Sequence, residues 1–330
     1  VSPRWQCPVH QLATVSMADA DMAALAGEEA QCSTMCNPCV TCKAFAGEFK
    51  AHDDRLSIFG ASTANSKWPY VFGTSPWFSQ SSNILAVCRT VLAAILVVHL
   101  ILNLVVHFDG GFWFIYLTHL TQLIATAYLV FAAVTSWMGL SQLRKEKEDP
   151  PQETRLPWYA STTWVLFNVA MPAVVWVAFI YWTLDNPVWD MKVQPDYICF
   201  FIHGTQAIIL LVDLLLGRNA LYLKHAIFFF AYVLAYLTWT VVHWRLRIGS
   251  YAGCGAYPDK GDCPIYNLLD WNKAQATGIL CSIVVLFVVP LCQGTLWCCV
   301  FSRRLADFLL HRNEDESDDE SASDEETSSG

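Results

Sequence analysis

Two polar side chains, Thr118 and His203, each stand about six residues inside a long apolar segment of this 330-residue sequence. A hydroxyl beside a neutral imidazole is the least that nucleophilic attack on an ester requires, because the ring nitrogen takes the proton that the oxygen must lose. Both groups are costly to keep in hydrocarbon, so a pair at matching depth points to a site. The expected chemistry is ester hydrolysis within a membrane by a threonine nucleophile and a histidine base, with no cofactor and no metal.

The elements that would carry the pair are six apolar stretches: Ile84 to His107, Phe112 to Met138, Ser161 to Thr183, Tyr197 to Gly217, His225 to Trp244 and Thr277 to Phe301. Each is close to the roughly 20 residues that cross hydrocarbon as a helix. With 55% hydrophobic and 15% charged residues, the composition argues against buried helices of a soluble protein. Aromatic residues such as Trp113, Tyr116, Trp137, Trp158, Tyr181, Trp182 and Trp244 gather near the ends, where amphipathic rings meet headgroups. The predicted fold is therefore all-α, a polytopic membrane helix bundle with six transmembrane helices over 84–301. It follows a Cys-rich, poorly ordered cytosolic segment, 1–83, and precedes a disordered acidic tail, 302–330. The second and fourth segments enter the bilayer from the same side, which puts Thr118 and His203 in one leaflet.

Other polar residues inside the spans extend the pattern. His203, Gln206 and Asp213 share one broad face of the fourth segment, and Thr118, Thr121, Gln122 and Thr126 share one of the second, with His119 one step round. His119, Gln206 or a backbone amide near Gly204 is a candidate oxyanion donor, Gly204 would permit close approach, and His243 in the same leaflet would orient the pair. Asp213 is expected to pair with Arg218 or His225. The bland alternative is helix glue, since a membrane threonine often bonds its own upstream carbonyl and a membrane histidine often bridges neighbouring helices.

Charge sets orientation. Nine Lys and Arg flank one side of the spans and five the other, which places both termini in the cytosol if basic loops stay inside. The net charge of −9 belongs to the tail, because nine acids fall between Glu314 and Glu326 and the remaining 20 balance the 20 bases. No basic patch stands apart from the membrane flanks, so nucleic acid is not an expected partner. The expected partners are membrane lipids and a lipid ester, in the endoplasmic reticulum or plasma membrane.

The cysteines divide by position. Cys254 and Cys263, in a Gly- and Pro-rich outer loop, are candidates for a disulfide, and Cys298 and Cys299 beside Arg303 and Arg304 are candidates for lipidation. Cys32, Cys36, Cys39 and Cys42 have spacing that would suit zinc or an iron–sulfur cluster, although closely packed cysteines also occur without metal. The chain begins at Val1, and Met17 is an alternative start.

The run Phe114-Ile115-Tyr116-Leu117-Thr118, the step His203-Gly204 and the run Tyr266-Asn267-Leu268-Leu269-Asp270-Trp271 resemble the rolling stone family. The resemblance covers roughly Ile84 to Phe301. That family is related to androgen-induced transmembrane proteins that hydrolyse fatty acid esters of hydroxy fatty acids, in which a threonine is the nucleophile and a histidine its partner. The resemblance thus implies those roles for Thr118 and His203. Rolling stone proteins are also associated with cell fusion and adhesion, which implies an alternative as a non-catalytic membrane protein. A second alternative, read from the histidines alone, is a single b-type haem held between His119 and His203.

Overall fold

The computed structural model describes residues 68–79, 82–108, 110–146, 156–186, 194–219, 221–250 and 259–303. Cys32, Cys36, Cys39, Cys42 and Cys254 lie outside the described residues. Six helices are long and apolar enough to cross a membrane: Ile84–His107, Leu117–Lys145, Trp158–Asp185, Tyr197–Leu216, Ala226–Arg245 and Trp271–Arg303, here the first to sixth spans. The described residues contain no strand. Backbone groups in hydrocarbon must be satisfied within their own segment, and helices achieve this.

The spans follow the expected order with shifted ends. The second begins at Leu117, after a 3-10 turn at Phe112–Ile115. The third runs as α-helix over Trp158–Ile180 and closes with a π turn at Tyr181–Asp185. The fourth starts as a short α-helical turn, Tyr197–Phe200, capped by the Asp196 carboxylate on the Cys199 N–H at 2.7 Å, and passes through a second π turn at Phe201–Thr205. The sixth carries a third, at Val284–Val288. Helical periodicity in sequence does not register such turns.

Outward-facing side chains are apolar and open: Val105 is 77% exposed, Leu291 70% and Phe287 67%. Large apolar groups this open along membrane-length helices suit contact with lipid. Inward, Leu96, Tyr128, Phe167, Met171, Leu210 and Trp297 join five spans in one core. Alanines 125, 132 and 170 are fully buried in it and let helices approach closely.

A further helix, Trp68–Gly73, lies within the segment expected to be poorly ordered, yet it packs into the bundle through buried Trp68 and Phe72. The contact depends on two glycines. A Cβ at Gly73 would meet the Leu140 N at 2.8 Å, and one at Gly139 would meet the Pro69 O at 2.9 Å, so both approaches require a bare backbone.

Asp213 does not pair with Arg218 or His225 as expected. Its partner is Arg89 of the first span, 2.6 Å away, with both side chains buried. Arg89 also donates to the Ser136 hydroxyl at 2.8 Å and to the Phe72 carbonyl at 3.1 Å. Tyr128 donates to the other Asp213 oxygen and accepts from Asn219 at 2.9 Å, while Arg303 donates to the carbonyls of Leu214 and Asn219. A buried carboxylate needs a cation at its own depth, and Arg89 lies one turn inside the first span at the same end. Arg218 stacks on the Tyr70 ring at 4.7 Å, and His225 packs edge-on against Trp164 and Tyr222.

Candidate functional site

Thr118 is the second residue of the second span, so its backbone N–H is among those that a helix start leaves without an intrahelical acceptor. Phenols from elsewhere in the chain meet these amides. The Leu117 N–H donates to the Tyr236 hydroxyl at 3.1 Å, and Tyr236 in turn donates to the Ile115 carbonyl at 2.9 Å. The Thr118 N–H reaches the Tyr266 hydroxyl at 3.5 Å. One turn on, Thr121 and Tyr232 share a hydrogen bond of 2.9 Å.

His203 sits in the π turn of the fourth span, a departure from α-helical geometry that is found often at functional sites. Its Nδ1 lies 2.8 Å from the Cys199 carbonyl, which can only accept, so in the neutral ring Nδ1 carries the proton and Nε2 keeps the lone pair. The third span's own π turn braces the ring. Tyr181 stacks on it with centroids 3.8 Å apart, and the Trp182 indole donates to the His203 carbonyl at 2.7 Å, satisfying an oxygen at the bulge.

Thr118 and His203 line the same cavity, of about 120 Å³. Its other walls include Tyr232, Tyr236 and Phe229 of the fifth span, Trp176 and Ile180 of the third, and Leu280, Cys281 and Val284 of the sixth, together with Tyr266. Asp185 also lines it. The surface is almost wholly apolar or aromatic. No direct hydrogen bond joins Thr118 to His203 among the described residues, and the space beside both is continuous.

The remaining sequence candidates divide. His119 gives Nδ1 to the Trp113 carbonyl at 2.9 Å and stacks on that indole, and it is not among the residues that line the cavity. Gln206 is fully buried outside the cavity lining. His243 is buried and its Nε2 bonds the Gly249 carbonyl at 2.7 Å, so it pins the following loop rather than orienting the pair. At Gly204 an added Cβ would meet only the Trp182 Nε1 at 3.7 Å, an ordinary contact, so glycine is not needed there for close approach. Cys263 is disulfide-bonded, to a residue outside the described ones, and Cys298 and Cys299 are exposed at the far end of the sixth span.

Tyr181, Trp182 and Tyr236 escaped sequence reasoning. The first two read as interface aromatics, and Tyr236 is one more ring in an aromatic span. Tyr266 was visible only within a family-like run, without a role.

The profile of one family, described as protein rolling stone, matches residues 41–311. A curated relative, Protein rolling stone of Drosophila melanogaster, is 21% identical over 231 residues, covering 69% of this chain and 80% of the relative. No solved structure matches. With the profile spanning most of the sequence and six apolar spans beneath it, the chain is a multi-pass membrane protein and belongs to the rolling stone family.

Proposed function

We propose that this protein is an intramembrane threonine hydrolase that cleaves carboxylic esters of lipids. The observation that carries the reading is the convergence of Thr118 and His203, from different spans, on one apolar cavity in which the His203 Nε2 meets no carbonyl among the described residues.

His203 Nε2 takes the proton of the Thr118 hydroxyl as its oxygen bonds to the ester carbonyl carbon, and the carbonyl π pair moves to oxygen. Collapse of this intermediate breaks the bond to the alcohol, which leaves with the proton held by His203. Water then attacks the acyl-threonine, gives its proton to the same nitrogen, and releases the fatty acid as that proton returns to Thr118. Thr118 and His203 share no hydrogen bond among the described residues, and catalytic hydrogen bonds often tighten only when substrate binds.

The cavity's lining suits an acyl chain, and fatty acid esters of hydroxy fatty acids are the substrate class we favour. Entry is sideways from the bilayer. Leu280, Cys281 and Val284 line the cavity, while Ile279, Ile283 and Leu286 of the same helix turn are open to lipid, so the wall there is one helix thick. The protein resides in the endoplasmic reticulum or plasma membrane with both termini cytosolic, and the site opens in the opposite leaflet.

The test is hydrolysis of a branched fatty acid ester by the full chain in lipid nanodiscs. Wild type and Thr118→Ser turn over; Thr118→Ala loses all measurable turnover, and His203→Ala loses about 10²–10⁴-fold. Equal hydrolysis by wild type and Thr118→Ala overturns the proposal.

A further inference from the structure

Resting on the hydrolase reading above, we infer that Tyr266 is a catalytic residue, its phenol donating the hydrogen bond that holds the oxyanion formed when Thr118 attacks an ester. Three phenols line the cavity near the start of the second span, and their commitments differ. Tyr236 is spent, donating to the Ile115 carbonyl and accepting from the Leu117 N–H. Tyr232 is shared with Thr121, a full turn from the nucleophile. Of the three, Tyr266 meets Thr118, its hydroxyl 3.5 Å from the Thr118 N, and among the described residues no backbone carbonyl takes the Tyr266 proton. The carbonyl oxygen of an ester under attack by Thr118 must lie within a bond or two of the Thr118 oxygen, and the Tyr266 hydroxyl lines the same cavity, 3.5 Å from the Thr118 N.

The phenol is chemically suited to donate. Burial pushes its pKa up to about 12, so it keeps its proton at any physiological pH. The Thr118 N–H, by donating to the phenol oxygen, polarises the O–H and strengthens it as a donor. As the carbonyl π pair moves to oxygen, the charge that develops meets this preformed dipole in a poorly hydrated site, where such donors act most strongly.

Position is held from both sides. The Leu269 N–H closes a turn onto the Tyr266 carbonyl at 2.9 Å, the Thr277 hydroxyl donates to the Asp270 carbonyl at 2.6 Å, and Trp271 donates to Thr240 of the fifth span at 3.0 Å. On the other side Ile265 is buried and Cys263 is disulfide-bonded. The run Tyr266 to Trp271 thereby becomes a strut that sets one hydroxyl against Thr118.

A tyrosine that merely props the helix start differs measurably from one that holds an oxyanion. The probe is a long-chain trifluoromethyl ketone, which adds to Thr118 as a charged tetrahedral adduct, compared with an ether of the same chain, which stays neutral. In the full chain in nanodiscs, Tyr266→Phe should bind the ketone about 100-fold more weakly and lose about 10²–10³-fold in kcat, with ether affinity and KM unchanged. Tyr236→Phe should lower thermal stability without this selectivity. Should Tyr266→Phe fold poorly, 3-fluorotyrosine at 266 reads the same contact, its fluorine resonance moving with the ketone and not with the ether. Equal losses for ketone and ether, wild-type turnover in Tyr266→Phe, or an unmoved resonance overturns the assignment of Tyr266 alone. A wild-type chain that neither hydrolyses ester nor binds the ketone overturns the hydrolase reading, and Tyr266 with it.

Discussion

The two ends of the helix bundle solve opposite problems with polar groups in hydrocarbon. At one end Arg89, Asp213, Tyr128, Asn219 and Arg303 close on one another in a packed network that ties the first, second, fourth and sixth spans. At the other, Thr118, His203 and Tyr266 face a cavity, and all three π turns contribute residues to its lining. The first arrangement closes on a buried ion pair and serves stability, with the Arg89 Nη2 and Asn219 Oδ1 left without hydrogen-bond partners among the described residues. The second leaves the His203 Nε2 and the Tyr266 proton without a backbone acceptor or donor among the described residues, a costly arrangement in a membrane that the proposed reaction would use.

Breaking the packed end has the largest effect on folding. Asp213→Asn leaves the Arg89 guanidinium buried without a counter-charge and is expected to cost about 3–5 kcal/mol, seen as a lower thermal midpoint in detergent. Whatever protein still folds should keep its probe reactivity, because the network does not touch the cavity. A loss of reactivity without loss of stability would mean that the ends are coupled.

A medium effect is expected where a helix brace meets the site. Trp182→Phe removes the donor to the His203 carbonyl and should cost about 1–3 kcal/mol by stranding a buried acceptor. Turnover should fall further than stability alone explains, because the π turn that sets the imidazole relaxes; turnover that tracks stability would make Trp182 a packing residue. The smallest effect is expected at Gly204. Since an added Cβ finds only an ordinary contact at 3.7 Å, Gly204→Ala should change thermal stability and turnover little, within the roughly 0.5 kcal/mol usual for substitutions that meet no special feature.

The six-span fold is legible in the sequence, and so is the placement of Thr118 and His203 on its second and fourth spans. Span number follows from length and apolarity, and the shared depth of Thr118 and His203 follows from counting residues along segments that enter from one side, at a fixed rise per residue. Partners were harder to read. Arg89 lies inside an apolar run as its single charge, so Asp213 was matched to nearer bases that instead stack on rings or meet carbonyls. His243 sits at the expected depth, yet it serves the Gly249 carbonyl, a choice made by a loop that no helical periodicity describes. The π turns depend on tertiary contacts such as Trp182 to His203, which leave no local signal. Tyr266 reaches Thr118 across a separation of 148 residues, and only the folded chain brings it there.

The central claim is that the Thr118 oxygen becomes a nucleophile through His203. Its most direct test is covalent labelling of the purified full chain in nanodiscs by a long-chain fluorophosphonate, followed by intact mass and peptide mapping. The account expects one adduct, on Thr118, absent from Thr118→Ala and formed at least about 100-fold more slowly in His203→Ala. An adduct at another residue, or equal labelling of wild type and His203→Ala, contradicts it.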